Sequence, residues 1–317
     1  MPAFLLLALL LLAPTARTQT PSAQTFTETP DSLVVPSGTL YGTLTVPAGT
    51  AGPVPVALII AGSGPTDRDG NQRGTGAASL RLLAHALAER GIATLRTDKR
   101  GVGQSAAAYR LTDLFDAFVG DAEAWLAHLR TDPRFSTVSV VGHSEGALIG
   151  ALAGADGRAD ALVSVAGAGE PIAAVLRRQL SERLPEPMRP GALALVDSLE
   201  AGRLVPEPPG VMAQVFPLAV QPFLVSWMAY NPAAAVAAFR GPVLVAQGTT
   251  DVQVTVADAE RLAAAPGVRL LLVAGMNHVL KDVSGDLAAQ MPSYTDPALP
   301  VNAELVREMA AFLLTVE

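Results

Sequence analysis

Short apolar runs that end in glycine recur along the chain and alternate with helical patterns. One is "VPVALIIAG" (Val54–Gly62), and similar runs occur at Ala161–Gly167, Pro242–Gly248 and Val268–Gly275. A nearly continuous apolar run of this length is typical of a strand buried on both faces of a parallel sheet. Between such runs, segments such as Gly76–Gly91 repeat apolar residues at helical spacing. The alternation predicts an α/β fold with a mostly parallel central sheet and helices on both faces.

Two segments depart from this alternation. Residues Ser32–Pro47 predict two short strands around Pro36-Ser37-Gly38, which would form an antiparallel hairpin at the sheet edge. Between about residues 170 and 239, the sequence predicts several helices interrupted by prolines. An insertion of that length is too long for a plain connection between two strands. We expect it to form a helical cap over the carboxyl ends of the strands, within one domain that spans residues 32–317.

The first residues of the chain predict an export signal. An apolar run extends from Ala3 to Ala13, and small and polar residues follow it. The run is too short to span a bilayer as a helix, but its length suits the core of a secretory signal peptide. We predict a signal peptide over residues 1–19 and a polar leader over residues 20–31. The mature chain would then be periplasmic or extracellular, with no membrane span.

The stretch "VVGHSEGALIGALAG" places one serine between two glycines, after an apolar run and before a small-residue helix. Gly142-His143-Ser144-Glu145-Gly146 matches the G-x-S-x-G pattern of a nucleophile elbow. A serine on such a turn takes an unfavourable backbone conformation, and only very small neighbours two positions away avoid a clash. An ordinary glycine-rich turn is the alternative. The preceding strand and the following helix favour the elbow, with Ser144 as the nucleophile.

A nucleophilic serine needs a base, and the base needs a group that orients it. His278 follows the last apolar strand, so it lies where a general base is required. His85 and His128 fall within helical patterns, and His143 is expected to point elsewhere on the serine turn. For the acid, Asp251 follows the preceding strand, which gives the order Ser, Asp, His. Asp258 is the rival, but its helical context predicts a solvated side chain.

Acyl transfer also requires two backbone N–H groups directed at the developing oxyanion. Glu145, directly after the nucleophile, can supply one. The loop Ala61–Pro65 follows the first long strand, and Ser63 between two glycines can supply the other. The segment "TDRDGNQRG" adds charged residues that we expect to brace this loop. Those charged residues are Asp67, Arg68, Asp69 and Arg73.

The combination of "AGSGPTDRDGN", "TDKRGVGQS", "GHSEGA", Asp251 and "MNH" resembles the α/β-hydrolases, over essentially the whole chain after about Ser32. Within them, it resembles exported bacterial esterases related to the dienelactone hydrolase and serine aminopeptidase-like groups. The resemblance implies an α/β-hydrolase fold, with Ser144 as nucleophile, His278 as base and Asp251 as its orienting acid. It also implies that the N–H groups of Ser63 and Glu145 form the oxyanion hole. One departure is Ala61, where the family often has histidine.

These residues predict a serine hydrolase of carboxylic esters with short to medium acyl groups, acting through an acyl-enzyme. The apolar cap, including Trp227, would cover the acyl pocket. An aminopeptidase or amidase is an alternative, and it would need cap carboxylates to hold the free amine of a peptide-like substrate. The candidates for that role are Glu170, Glu182, Glu186, Asp197, Glu200 and Glu207. A thioesterase and a non-catalytic binding protein are further alternatives.

Charge and composition disfavour several other functions. The formal net charge is −7 and the longest runs of Lys or Arg are pairs, so no basic stripe indicates nucleic-acid binding. The chain has no cysteine, which removes disulfides and thiolate chemistry. No H-x-x-x-H spacing occurs and no nucleotide-binding glycine motif is complete. We therefore expect a small-molecule substrate, no metal and no organic cofactor.

Overall fold

The computed structural model describes residues 25–317, and its central feature is one eight-stranded sheet. The order of the strands across the sheet is β1-β2-β4-β3-β5-β6-β7-β8. The strands are β1 (Phe26–Val35), β2 (Gly38–Pro47), β3 (Val54–Ile60), β4 (Ala93–Thr97), β5 (Phe135–His143), β6 (Leu162–Val165), β7 (Val243–Gly248) and β8 (Val268–Val273). The predicted signal peptide lies outside the described residues.

The sheet is mixed in the way the sequence predicts. Strands β3 to β8 pair in parallel, whereas β1 and β2 form an antiparallel hairpin and β2 is antiparallel to β4. The hairpin therefore lies at one edge of the sheet, and the parallel strands form the remainder of the sheet. All carboxyl ends of the parallel strands meet at the same edge of the sheet, and the loops that follow them come together there.

Helices cover both faces of the sheet, as predicted. They are α1 (Ser79–Ala88), α2 (Phe115–Arg130), α3 (Glu145–Ala153), α4 (Ile172–Arg183), α5 (Arg189–Glu200), α6 (Met212–Val215), α7 (Gln221–Met228), α8 (Pro232–Ala238), α9 (Val256–Leu262), α10 (Leu287–Gln290) and α11 (Ala303–Leu313). Among residues 25–317, no helix is both long enough and apolar enough to cross a membrane.

Alternate residues of β3 divide the core between the two faces. Val56 and Leu58 pack with α2 and α3 on one face, whereas Ala57 and Ile59 pack with α1 and α11 on the other. Successive side chains of a strand point to opposite faces, so a strand that is apolar at every position must be covered on both sides. The continuous apolar run of β3 thus explains the three-layer α/β arrangement.

The long connection between β6 and β7 contains helices α4 to α8 and corresponds to the insertion predicted at about 170–239. These helices enclose a small apolar core of their own, which includes Leu195, Phe216 and Leu224. The connection also packs on the body, because Trp227 and Phe223 contact Phe115 of α2. We call the helices α4 to α8 the cap.

Asp258 corrects one expectation. The sequence predicts a solvated side chain, but Asp258 is fully buried. It forms a capping box with Thr255 at the start of α9, and it accepts a 2.7 Å hydrogen bond from Arg178 of the cap. The T-x-x-D pattern resembles an exposed helix start, and the sequence does not show that the distant Arg178 and the Gly169 N–H bind this buried carboxylate.

The sheet also begins earlier than the leader prediction implies. Strand β1 starts at Phe26, and its register with β2 pairs Phe26 with Pro47. Residues 26–31 of the predicted leader therefore belong to the edge strand. Because most of their side chains are polar, the apolar pattern of the sequence did not indicate a strand there. Glu28 pairs with Arg96 and His85, and Asp31 pairs with His128.

Candidate active site

Ser144 occupies a strained turn between β5 and α3. Its backbone angles are φ 56° and ψ −120°, a positive φ that residues other than glycine rarely adopt. A Cβ on Gly142 would collide with the backbone of Gly146, and a Cβ on Gly146 would collide with the carbonyl of Ile60. Only glycine fits at these two positions. The turn raises the Ser144 hydroxyl at the carboxyl edge of the sheet, as the elbow geometry requires.

His278 and Asp251 form a buried pair beside this turn. Asp251 follows β7, His278 follows β8, and the His278 Nδ1–H donates to Asp251 Oδ2 at 2.8 Å. The Asp251 side chain is 1% exposed and that of His278 is 8% exposed. This bond fixes the tautomer of the imidazole and leaves Nε2 free to accept a proton.

The Asp251 carboxylate remains ionised despite its burial. Burial raises its pKa, but the neighbouring His278 and the backbone N–H groups of Gln253 and Val254 outweigh that effect, so the pKa lies below its ordinary value. Those N–H groups donate to Asp251 Oδ1 at 2.7 and 3.0 Å. An ionised carboxylate at this position can orient His278 and stabilise its protonated form.

The structure brings Ser144 and His278 to the wall of a single cavity of about 240 Å³. The hydroxyl of Ser144 has no hydrogen-bond partner among residues 25–317, so it is free for a substrate. Asp258, the rival acid, lies on α9 and pairs with Arg178 instead of His278. Of the two aspartates, the geometry therefore joins only Asp251 to the histidine.

His143 supports the loop that carries His278, a role the sequence did not indicate. Its Nε2–H donates to the carbonyl oxygen of His278 at 2.8 Å, and the two rings lie 4.9 Å apart. Burial, with the nearby His278, lowers the pKa of His143 to about 4. His143 is therefore neutral near pH 7. His143 is the last residue of β5. Because the carboxyl ends of parallel strands meet at one edge of the sheet, its position at a strand end is the one sequence feature that could have placed it near the loop after β8.

The two candidate oxyanion donors are both free. Within residues 25–317, neither the Ser63 N–H nor the Glu145 N–H has a hydrogen-bond acceptor. Glu145 is the first residue of α3, where backbone N–H groups have no partner within the helix. Gly62 packs against Ser144 so closely that a Cβ there would lie 3.1 Å from the Ser144 Cβ. The loop after β3 thus directly borders the nucleophile.

Lys99 ties the two donor segments together. Its Nζ donates to the Gly62 carbonyl at 2.7 Å and to Glu145 Oε1 at 3.1 Å. The C=O of Gly62 and the N–H of Ser63 belong to one planar trans peptide unit and point in opposite directions. By holding the Gly62 carbonyl, Lys99 therefore sets the direction of the Ser63 N–H. The ion pair also compensates the buried Glu145 carboxylate.

The charged residues after Ser63 brace the loop as expected, with the exception of Arg73. Asp67 Oδ1 accepts the backbone N–H groups of Asp69 and Asn71. Arg68 pairs with Asp98 at 2.6 Å, and Asp69 pairs with the buried Arg96. Within residues 25–317, Arg73 forms no ion pair. Gln72, which the sequence did not single out, donates to the Ser63 carbonyl at 2.8 Å.

Three cavities meet at Ser63, and we name each by its lining. The polar cavity, of about 240 Å³, is lined by Ser144, His278, Gln72, Thr75, Gln253 and Tyr294. The cap cavity, of about 160 Å³, is lined by Ser144, Leu148, Ile172, Leu176, Trp227 and Val254. The apolar cavity, of about 420 Å³, is lined by Tyr109, Phe118, Val220, Phe223, Leu224 and Trp227. Trp227 is thus a wall of two cavities, and its ring stacks on Phe115.

The cap carboxylates do not form a cluster in this site. Glu170 lines the cap cavity, but it pairs with Arg178 at 2.7 Å and with Arg261 at 3.5 Å. Asp197 and Glu200 pair with Arg177 on the cap surface. The other three candidates are exposed, namely Glu182, Glu186 and Glu207.

Within residues 25–317, no group of three or more His, Cys, Asp or Glu side chains could hold a metal ion.

Solved structures of similar architecture identify the fold. Est1E from Butyrivibrio proteoclasticus superposes with a TM-score of 0.58 at 16% identity, over 90% of this chain and 98% of that chain. An esterase of Pyrococcus furiosus superposes with a TM-score of 0.58 at 17% identity, over 94% of this chain and 95% of that chain. The chain has the α/β-hydrolase fold. Its mostly parallel sheet, elbow serine and cap agree with this fold.

Sequence comparisons find two partial similarities to known hydrolases. Residues 74–198 match the family model described as serine aminopeptidase, S33. Those residues include Ser144, but neither Asp251 nor His278. The esterase EstD of Thermotoga maritima is 27% identical over 252 residues, which are 78% of this chain and 59% of that protein. The chain therefore spans less than two thirds of that relative's length.

Proposed function

We propose that this α/β-hydrolase cleaves carboxylic esters by a serine mechanism. The observation that carries the proposal is the buried Asp251–His278 pair beside Ser144, whose turn is bordered by two free backbone N–H groups. Such a set combines a nucleophile, an oriented base and donors for an oxyanion. The likeness to proteins named esterases supports the same activity.

In the proposed reaction, Ser144 Oγ attacks the ester carbonyl while His278 Nε2 takes the hydroxyl proton. Asp251 stabilises the resulting imidazolium, and the N–H groups of Ser63 and Glu145 bind the oxyanion. Collapse of the tetrahedral intermediate breaks the bond to the alcohol, and His278 returns the proton to the leaving oxygen. Water, activated by the same histidine, then cleaves the acyl-enzyme and releases the acid.

The cap cavity supports short to medium acyl groups. It adjoins Ser144, and its walls include Leu148, Ile172 and Leu176. Trp227 separates it from the larger apolar cavity. An acyl chain that enters at Ser144 therefore meets these apolar side chains over a limited length, beside the polar Gln179 and Gln253.

The test is hydrolysis of p-nitrophenyl esters whose acyl chains run from two to sixteen carbons. We expect a maximum at short to medium chains. Ser144→Ala should lower kcat by several orders of magnitude and retain the fold by circular dichroism. Ser32→Ala, at an exposed position on the edge strand, is the matched control and should retain wild-type rates. Equal activity of Ser144→Ala and wild type would refute the proposal.

An aminopeptidase is the second candidate, because the matched family model carries that description. A free substrate amine would need an uncompensated carboxylate in the pocket. Both carboxylates that line the cap cavity, Glu145 and Glu170, are already paired with Lys99 and with Arg178. This pairing favours the ester. Aminoacyl-p-nitroanilides assayed beside the esters decide between the two, since faster anilide cleavage would identify a peptidase.

A further inference from the structure

The polar cavity differs from the other two in its position relative to the catalytic histidine. It is lined by His278, whereas neither the cap cavity nor the apolar cavity includes that residue. In the proposed mechanism, His278 must deliver a proton to the departing alcohol oxygen. The alcohol therefore has to lie beside His278. The polar cavity is the alcohol side of the site, and the cavities walled by Trp227 are the acyl side. Gln253 lies between the two sides, because it lines both the polar cavity and the cap cavity.

The lining of the polar cavity is polar but uncharged. Among the described residues that line it, there is no Asp, Glu, Lys or Arg. A cavity of this kind provides no counter-charge for a phosphate, a carboxylate or a quaternary ammonium group. Leu80 and Val279 are the only large aliphatic side chains among the described residues that line it.

Several hydrogen-bonding groups in this lining are unused. Gln253 Nε2 donates to the Tyr294 hydroxyl at 3.0 Å, which leaves the Tyr294 O–H and Gln253 Oε1 without a partner among residues 25–317. Gln72 donates both amide hydrogens, to the Ser63 carbonyl and to Thr66 Oγ1, and its Oε1 is likewise free in that part of the chain. Two free donor hydrogens, the Tyr294 O–H and the second Gln253 Nε2–H, and two free acceptors thus belong to residues that line the cavity, which matches the neighbouring hydroxyls of a polyol.

We propose that the alcohol part of the natural substrate is a neutral polyol such as a sugar, bound by Tyr294, Gln253 and Gln72. This inference rests on the proposed ester hydrolysis and adds the chemical class of the alcohol. The substrate is then an ester that joins an apolar acid to a hydroxyl-rich alcohol. Its acyl half lies in the cap cavity and its alcohol half in the polar cavity, and both cavities adjoin Ser144.

The experiment compares two esters of one acid, butanoyl-glucose and hexyl butanoate, by the rate of butanoate release. We expect wild type to have the higher kcat/KM for butanoyl-glucose. Tyr294→Phe and Gln253→Met should each lower that preference about three- to tenfold, because each removes hydrogen bonds to the sugar. The matched controls are Tyr41→Phe on β2 and Gln214→Met on α6, which lie outside the three cavities and should keep the wild-type preference.

The outcomes separate this inference from the proposed function. Serine-dependent cleavage of p-nitrophenyl butanoate with equal or better cleavage of the hexyl ester would overturn the polyol assignment and leave the esterase intact. The same conclusion follows if Tyr294→Phe and Gln253→Met lower both rates equally. Failure to cleave any of the esters would refute the esterase, and the polyol assignment with it.

Discussion

The imidazole of His143 holds the backbone of His278, since its Nε2 lies 2.8 Å from the His278 carbonyl oxygen. The residue before Ser144 thus fixes the loop that carries His278. His143→Leu should lower kcat tenfold to a hundredfold, because a displaced base costs rates of that order. His143→Gln keeps an N–H donor and should recover most of the loss. His128→Gln, on the distant α2, should have no effect on kcat.

His143 also predicts a pH dependence of stability. Its pKa is about 4 in the folded protein and 6.5 without burial, so the unfolded chain binds the extra proton first as the pH falls. The free energy of unfolding should therefore decrease as the pH falls from 6.5 to about 4. The decrease corresponds to about 2 to 3 kcal/mol. Urea unfolding of wild type and His143→Gln across this range should show a smaller decrease in the variant, and identical profiles would contradict the assignment.

Substitution of Asp251 should mainly lower kcat, whereas substitution of Asp258 should mainly lower the free energy of unfolding. Asp251→Asn keeps the shape but loses the charge that orients His278, so kcat should fall about a thousandfold or more. Asp258→Asn weakens the buried contact with Arg178 and should lower the free energy of unfolding by about 1 to 3 kcal/mol. Its kcat should stay within severalfold of wild type. Ester kinetics and urea unfolding on both variants check this, and a reversed pattern of kcat losses would move the acid to Asp258.

Trp227 should set the acyl length. Because it walls both the cap cavity and the apolar cavity, Trp227→Ala should join them and move the optimum to longer chains. Each additional buried methylene is worth about 0.8 kcal/mol, or about fourfold in kcat/KM. Trp227→Phe retains an aromatic wall and should keep the wild-type optimum. The p-nitrophenyl series measures both, and an unchanged optimum in Trp227→Ala would exclude the tryptophan as the barrier.

The glycines of the elbow should tolerate no side chain. Gly142→Ala would force a methyl group into the backbone of the following turn, which should cost about 4 kcal/mol or more and abolish activity. Gly120→Ala is the matched control, because Gly120 is exposed on α2 with no neighbour within 4 Å of its Cβ position. That change should stabilise the protein by about 0.5 to 1 kcal/mol. Thermal unfolding of the two variants tests the contrast.

Local patterns in the sequence predicted the architecture well. Apolar runs such as Val54–Ile60 can be recognised from their own residues, because a strand covered on both faces is apolar at nearly every position. The G-x-S-x-G turn likewise contains the glycines that its sterics require. Phe26–Asp31 escaped prediction because an edge strand can be stabilised by backbone pairing alone, with polar side chains at most positions.

Contacts between distant residues were the part that the sequence could not supply. Lys99 lies 46 positions from Glu145, and Arg178 lies 80 positions from Asp258. A lone lysine after a strand, or an aspartate at a helix start, has an ordinary surface interpretation. Only the folded chain shows that Lys99 compensates the buried Glu145 and that Asp258 is a buried charge compensated by Arg178. His143, adjacent to Ser144, escaped for a related reason, since its partner is a backbone carbonyl without a sequence signature.

The position of the cap between β6 and β7 has a consequence for protein engineering. Because Asp251 and His278 follow β7 and β8, the cap can be exchanged as one cassette without changing the residues of the proposed chemistry. The exchange must also keep the charge of the buried Asp258 compensated. A donor cap must bring a guanidinium to the place of Arg178, or the host must lose the Asp258 charge in the same step. Chimaeras that ignore this condition should express as unstable proteins even when their sequences join smoothly.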